Sequence, residues 1–384
     1  MRLVYVANQY LPSNYVDSIQ VIKTVEALAL AGARVSLVVP AVLTWPPLTR
    51  ARLERRIAEF YGLDDLPFDL LPVPTLPRTA WEFEKELPGL FAPLFTSRRS
   101  DTVFYTRYWL PFYTACWFHP RVVFETHRDV AKLHPLSFRY LRWASQRRNL
   151  LAVVTNADLV TGLLREGGVC AEKVVTVHNG HDGSLFAEPL DSAEARRRTG
   201  LPLGRHLVFY GGTIGAHKAP EVLLALARQC KDLLFCIAGE ATPAFREAAL
   251  SCGNVLLTGW LGPEALRDHL AAADVLLIPP SSRPLLEARR TLLPLKLYQY
   301  LAAGRPIVAP DLPDIREVLD GDNALLVAPD RLEDGVMALR RLLAGPDLSA
   351  KLAKAALQTA KRYTWVSRGQ RLLAILEARL RRGN

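Results

Sequence analysis

Thr291-Leu-Leu-Pro294-Leu-Lys296-Leu-Tyr-Gln299-Tyr-Leu-Ala-Ala-Gly304-Arg-Pro306-Ile-Val-Ala309 reads as a helix that runs directly into a buried strand. Thr291 and Pro294 open the helix, where the first backbone N–H groups have no intrahelical partner and can receive a diphosphate. Lys296 and Gln299 lie three residues apart and share one face. Gly304 ends the helix as a C-cap, and Pro306 starts the short apolar run of the next strand.

The same alternation extends outward in both directions. Strands are expected at 3–7, 34–39, 102–105, 122–125, 151–155 and 174–178, then at 206–210, 233–238, 255–258, 275–279, 306–309 and 324–327. Amphipathic stretches such as 18–31 and 295–303 lie between them. Strand–helix alternation of this kind predicts an α/β protein with two doubly wound parallel sheets, each a Rossmann-like domain. The break falls near 183–189, giving domains at 1–183 and 184–361. The strandless tail 362–384 is expected to pack back on the first domain. Ligands of such sheets bind outside the carboxyl ends of the strands, here in a cleft between the two domains.

Composition narrows the function. Of 384 residues, 50% are hydrophobic and 22% charged, which excludes disorder as the main state. The run Tyr108 to Phe118 is far short of the about 20 apolar residues that span a bilayer. The N-terminus reads as a strand and not as a signal peptide, so a soluble cytoplasmic protein is expected. Five cysteines without a Cys-x-x-Cys pair argue against a disulfide framework or a zinc site, and no metal site is expected. Formal net charge is +10. Residues 96–148 carry ten basic and three acidic side chains, and 361–384 carry seven and one. Such local fields suit an anionic substrate or membrane surface.

Three further strand-to-helix or strand-to-linker segments carry candidate chemistry. In Tyr210-Gly211-Gly212-Thr213-Ile-Gly-Ala-His-Lys218-Ala-Pro-Glu221, glycines let the backbone approach a ligand and Lys218 neutralises phosphate at a helix mouth. Val177-His-Asn179-Gly180-His-Asp182 closes the first array with turn formers. Val123-Phe-Glu125-Thr-His127-Arg128-Asp129 ends a strand in polar side chains, and His127 is placed to meet a positively charged reacting centre. Near the N-terminus, Asp17 and Gln20 read as a capping pair for helix 18–31.

These four segments, in this order, resemble the retaining GT-B glycosyltransferases of glycosyltransferase family 4, closely over residues 174–330 and more loosely before them. The resemblance implies a nucleotide-sugar donor held by the C-terminal domain, an acceptor on the N-terminal domain, sugar transfer with retention, and no metal or other cofactor. By position it implies that Lys218 binds the diphosphate, with Gly211, Gly212 and Thr213 beside it. Thr291, Leu292 and Leu293 meet phosphate and sugar, residue 299 bonds the ribose, and Trp260 and Leu261 lie beside the base. His127 matches the family's histidine near the donor sugar, so His127 and Lys218 are the catalytic candidates. Asn14, Arg107 and Glu125 are candidates for the acceptor side.

The chain departs from the pattern where the family commonly has two glutamates, here Thr291 and Gln299, and where it often has arginine, here Gly212. Lys296 is the candidate for the missing cation, with Arg283, Arg289 and Arg290 as alternatives. A nucleotide-sugar epimerase or a non-catalytic scaffold of the same fold are the competing functions. No Gly-x-Gly-x-x-Gly with a downstream acid supports a dehydrogenase, and no nucleic-acid-binding module is recognised. Aromatics between 104 and 118 beside Arg98, Arg99 and Arg107, with the arginines at 50, 52, 55 and 56, suggest a peripheral enzyme. Its acceptor is then a sugar, a lipid-linked glycan or another anionic group at the inner membrane face.

Overall fold

The computed structural model describes residues 1–42, 49–75, 85–215, 218–286 and 293–383, without the side chains of 382 and 383. Two compact units divide the chain: Met1–Asn179 with Trp365–Asn384, and Gly180–Thr364.

In unit 1 the elements run β1 (Arg2–Val6), α1 (Val16–Leu30), β2 (Arg34–Val42), α2 (Arg50–Tyr61), β3 (Asp69–Thr75), α3 (Leu87–Phe95) and β4 (Thr102–Thr106). They continue with α4 (Trp109–Phe118), β5 (Val122–Glu125), α5 (Val130–Leu133), α6 (Pro135–Ser145), β6 (Leu150–Thr155), α7 (Asp158–Glu166) and β7 (Val174–Thr176). Unit 2 carries α8 (Ser192–Thr199), β8 (Leu207–Gly211), α9 (Pro220–Gln229), β9 (Leu234–Ala238), α10 (Pro243–Leu250), β10 (Val255–Gly259) and α11 (Pro263–Ala272). It ends with β11 (Val275–Leu277), α12 (Arg283–Leu286), α13 (Leu295–Ala303), β12 (Ile307–Pro310), β13 (Leu325–Val327), α14 (Leu332–Ala344) and α15 (Pro346–Ala360), before α16 (Trp365–Gly383) returns to unit 1.

Both sheets are parallel. Their orders are β3-β2-β1-β4-β5-β6-β7 and β10-β9-β8-β11-β12-β13. In each, strand order reverses beside the first strand, between β1 and β4 and between β8 and β11, and that reversal opens a crevice at the carboxyl ends. The core strands read as unbroken apolar runs because helices cover both faces. Tyr5, Val103, Val123 and Val154 are fully buried in unit 1, as are Val208, Phe235, Val275 and Val308 in unit 2.

One strand escaped the sequence reading. β3 contains Pro72 and Pro74, which cannot donate to a ladder and argue against a strand. Its place at the sheet edge resolves the conflict, since it pairs only with β2. α16 packs against α1 and sends Leu372 and Leu376 into the unit 1 core.

Candidate functional site

The crevice of unit 2 is built from the β8–α9 loop, the segment after β11 and the start of α13. Tyr210, Lys218, Pro279, Ser281, Pro294 and Lys296 are among the residues lining a cavity of about 40 Å³ there. The amides of the glycine pair turn away from it. Gly211 donates its N–H to the Tyr300 hydroxyl (2.9 Å), and Gly212 donates to the Ala238 carbonyl (2.8 Å). Both amides are thus engaged within the protein, and these two glycines shape the loop.

Gly212 has φ +144°, a conformation that favours glycine, and a Cβ on it would lie 2.6 Å from Nζ of Lys296. That ammonium stands 3.7 Å from the centre of the Tyr210 ring, as a cation–π contact. The lysine therefore occupies the space into which a side chain at 212 would project. Burial, and then Lys218, push its pKa well below the ordinary 10.5. Lys218 is half-buried, and Ala219 turns the chain into α9 through a left-handed φ of +51°. A non-glycine residue there costs about 1–3 kcal/mol, a strain typical of ligand loops.

The other expected donor residues are distributed around this loop. Leu293 is buried, Gln299 is half-buried on α13, and Gly304 caps that helix with φ +61°. Pro294 occupies the N-cap position without a side-chain cap. Trp260 is exposed, Leu261 is half-buried and Thr213 is exposed. Arg283 is taken by an ion pair with Glu221. Arg289, Arg290, Thr291 and Leu292 lie outside the described residues.

In unit 1 the crevice holds a charged network. Arg107 follows β4, and its Nη2 donates to Nδ1 of His127 at 3.1 Å and lies 3.5 Å from Asp17. Because a guanidinium only donates, Nδ1 is the acceptor and Nε2 carries the imidazole proton. Nε2 in turn meets Oε1 of Glu125 at 2.5 Å. The same oxygen accepts from Nη2 of Arg368 on α16 at 2.7 Å, and Oε2 accepts from the Tyr105 hydroxyl at 2.5 Å. Burial and the neighbouring Arg107 push His127 down to about 4. Burial alone would raise Glu125, but Arg368, His127 and Arg107 together hold it well below the usual carboxylate range.

One expectation changes here, on Asp17. Glu125 is 1% exposed and accepts from His127, Arg368 and Tyr105, which fixes it against the His127 ring. Asp17 does not cap α1; its carboxylate faces Arg107 and, at 3.7 Å, Arg128. Asn14 is half-buried just before α1. Sequence reasoning missed Tyr5, Gln9 and Tyr108. Their buried polar atoms, with Nη1 of Arg107, have no hydrogen-bond partner among the described residues. Buried polar atoms are normally paired, so such a group at a crevice marks room for a polar ligand. Only their position at the β1/β4 reversal could have signalled them.

A second cationic feature lies at the amino edge of the unit 1 sheet, opposite the crevice. Arg121 ties the loops before β4 and β5 together, donating to the Thr102 and Arg98 carbonyls at 3.0 and 2.9 Å. Arg147 stacks over Trp117 (5.4 Å) and Trp143 (4.6 Å). Arg98, Trp117, Phe118, Arg147 and Arg148 are among the residues lining an open groove of about 570 Å³. Phe95 (87%) and Trp117 (62%) are the most exposed aromatics of this edge. Tyr105, Phe104 and Phe112 are core residues instead, and Arg107 is tied up in the crevice. No helix of the described residues is long and apolar enough to cross a membrane.

Residues 204–345 match the family described as glycosyl transferases group 1. A D-inositol 3-phosphate glycosyltransferase of Thermomonospora curvata is 30% identical over 248 residues, covering 58% of this chain and 56% of that protein. The chain thus spans about half the length of the curated relatives it matches. The fold is shared with Anabaena Alr3699/HepE, solved in complex with UDP, at a TM-score of 0.71 and 15% identity over 98% of this chain and 100% of that one. It is also shared with sucrose-phosphate synthase from Thermosynechococcus elongatus, at a TM-score of 0.77 and 17% identity over 100% of both chains. Residues 204–345 are therefore a glycosyl transferases group 1 domain, carried by a chain of GT-B fold.

Proposed function

We propose that this chain is a retaining, metal-independent glycosyltransferase using a nucleotide-sugar donor. The observation that carries the reading is the pairing of Lys218 and Lys296 at the β8/β11 crevice of the group 1 domain. Two cations held at one crevice fit a nucleoside diphosphate, whose charge would relieve their mutual repulsion. In the transfer, the bond from the sugar C1 to the diphosphate oxygen breaks and a bond from C1 to the acceptor oxygen forms on the same face. The acceptor's hydroxyl proton leaves with the departing diphosphate. Lys218 and Lys296 stabilise the charge that develops on that leaving group, and the fixed His127 dipole supports the oxocarbenium-like sugar. These retained groups favour transfer over a non-catalytic scaffold.

The acceptor in this reading is anionic or lipid-linked, recognised on unit 1 by Arg107. The amino edge, with Phe95, Trp117 and Phe118 among Arg98, Arg99 and Arg148, meets an anionic membrane at its cytoplasmic face.

A thermal-shift panel of nucleoside diphosphates tests the donor reading. At 100 times Kd a ligand adds about 2.7 kcal/mol of stability, a clear rise in Tm. Anomeric NMR of the product, with and without chelator, tests retention and metal independence. Absence of any shift across the panel at millimolar ligand overturns the proposal.

A further inference from the structure

Arg368 is 3% exposed, lies 243 residues from Glu125 in sequence, and bonds to two separate segments of unit 1. Its Nη2 holds the Glu125 carboxylate. Its Nη1 donates to the carbonyls of Val177 and, at 3.1 Å, His178, the last turns of chain before unit 1 ends at Asn179. Arg368 itself stands three residues after the chain returns at Trp365. It therefore pins the outgoing chain, the returning helix and the Glu125–His127 pair to one another.

The charges around His127 explain what this pin does. The groups acting on it are Glu125 from β5, Arg107 after β4 and Arg368 from α16, while the phenols of Tyr105 and Tyr5 lie against Glu125. Asp17 from α1 balances Arg107, with Arg128 beyond it. Glu125 is the buried carboxylate of the set, Asp17 being 45% exposed. With Arg107 and Arg368 beside it, a second proton on His127 would add to an excess of positive charge. Without Arg368 the buried Glu125 carboxylate would lose the cation bonded directly to it, with Arg107 acting only from beyond His127. A second proton on His127 would then restore an adjacent positive charge. Such an imidazolium has no lone pair on Nδ1, so it would repel Arg107 and break the 3.1 Å contact.

We propose that Arg368 is a positioning residue: by neutralising Glu125 it keeps His127 uncharged, in the Nε2–H tautomer, with Nδ1 bound to Arg107. This builds on the proposed role of His127 in transfer, yet it can be tested without turnover.

The experiment is NMR of ring-labelled histidine across pH, with His127→Gln to assign the signal, on wild type, Arg368→Met, Arg368→Lys and the double variant Glu125→Gln/Arg368→Met. In wild type, His127 is expected to keep the Nε2–H signature and to titrate near pH 4. Arg368→Met should move that titration up toward or past the ordinary 6.5, and Arg368→Lys should restore it in large part. The double variant, having lost both charges, should bring it back down. If Arg368→Met does not fold, Arg368→Gln, which removes the charge but can still donate to the Val177 carbonyl, should show the same upward shift, and an unmoved titration there overturns the proposal. An unmoved His127 titration in folded Arg368→Met overturns the proposal, as does a double variant that titrates no lower than the single one. In a transfer assay, Arg368→Met is expected to lose roughly 10- to 100-fold in kcat/KM, with its acidic limb moved to higher pH. A shifted His127 signal with an unchanged pH profile leaves the positioning role standing and refutes the part given to His127 in transfer.

Discussion

The Nζ of Lys296 lies 3.7 Å from the centre of the Tyr210 ring and 2.6 Å from where a Cβ of Gly212 would stand. A lysine from α13 thus takes the place of a side chain on the β8–α9 loop. The phenol ring screens one side of the ammonium, and Lys218 repels it electrostatically. Charge in this crevice is costly in the free protein and becomes favourable once an anion arrives.

A proton balance follows from that relationship. Burial and Lys218 lower the pKa of Lys296 in the free protein, and a diphosphate would raise it again. Binding of a nucleoside diphosphate should therefore take up a proton at pH values between the free and bound pKa. Calorimetry in buffers of different ionisation enthalpy measures the uptake directly. Release of protons over that interval would show that the diphosphate does not reach Lys296.

The same shift has a stability sign. Because the folded pKa of Lys296 is below the unfolded 10.5, the unfolded chain binds more protons between the two values. Stability then rises with pH across that window, and below it the lysine is a liability. Lys296→Met keeps an apolar stem over Tyr210 and should raise Tm at neutral pH. The gain should shrink as pH approaches 10.5. A drop in Tm at neutral pH would contradict the sign.

Lys218→Ala should weaken nucleoside diphosphate binding much more than nucleoside binding. A charge-assisted hydrogen bond contributes about 1.5–3 kcal/mol, or roughly 10- to 100-fold in Kd. Titration calorimetry with both ligands separates the cases, and equal losses would remove Lys218 from the phosphate contact.

Gln299→Glu should tighten donor binding by about 1 kcal/mol, because a carboxylate accepts ribose hydroxyls more strongly than an amide does. Gln299 is half-buried on α13, within the matched domain, so the substitution can be made without repacking the core. Loss of donor binding by a folded variant would take residue 299 away from the ribose.

These predictions draw on residues of differing visibility in the sequence. Lys218 and Gln299 stand out because strand-to-helix loops and helix starts leave local marks: glycines, prolines and a C-cap such as Gly304. Arg368 leaves none, since its partners Glu125 and Val177 meet it only through the return of α16. Asp17 was misread because a local capping rule lost to two arginines brought in from β4 and β5. β3 was missed because Pro72 and Pro74 forbid a central strand but are tolerated at an edge. The aromatics of α4 were also divided by the fold: Phe112 turns into the core, whereas Trp117 and Phe118 face outward at the helix end.

That division sets up the last prediction, on the amino edge of unit 1. Phe95, Trp117 and Phe118 project beside Arg98, Arg99 and Arg148, all exposed, while Arg147 is stacked against Trp117 and Trp143. Aromatic rings favour the headgroup boundary of a bilayer, and each nearby cation adds about 1 kcal/mol toward an anionic leaflet. The protein should sediment with vesicles containing phosphatidylserine or phosphatidylglycerol and far less with neutral ones. Rising salt should weaken this binding, because at 0.1 M charges are screened beyond about 10 Å. Arg99→Ala with Arg148→Ala should cost roughly 25-fold in partitioning if the two contributions add. Phe95→Ser with Trp117→Ser should cut binding with little change in its salt dependence, since it removes ring insertion and leaves the charges. Failure to bind either kind of vesicle at low salt would assign this edge to solvent.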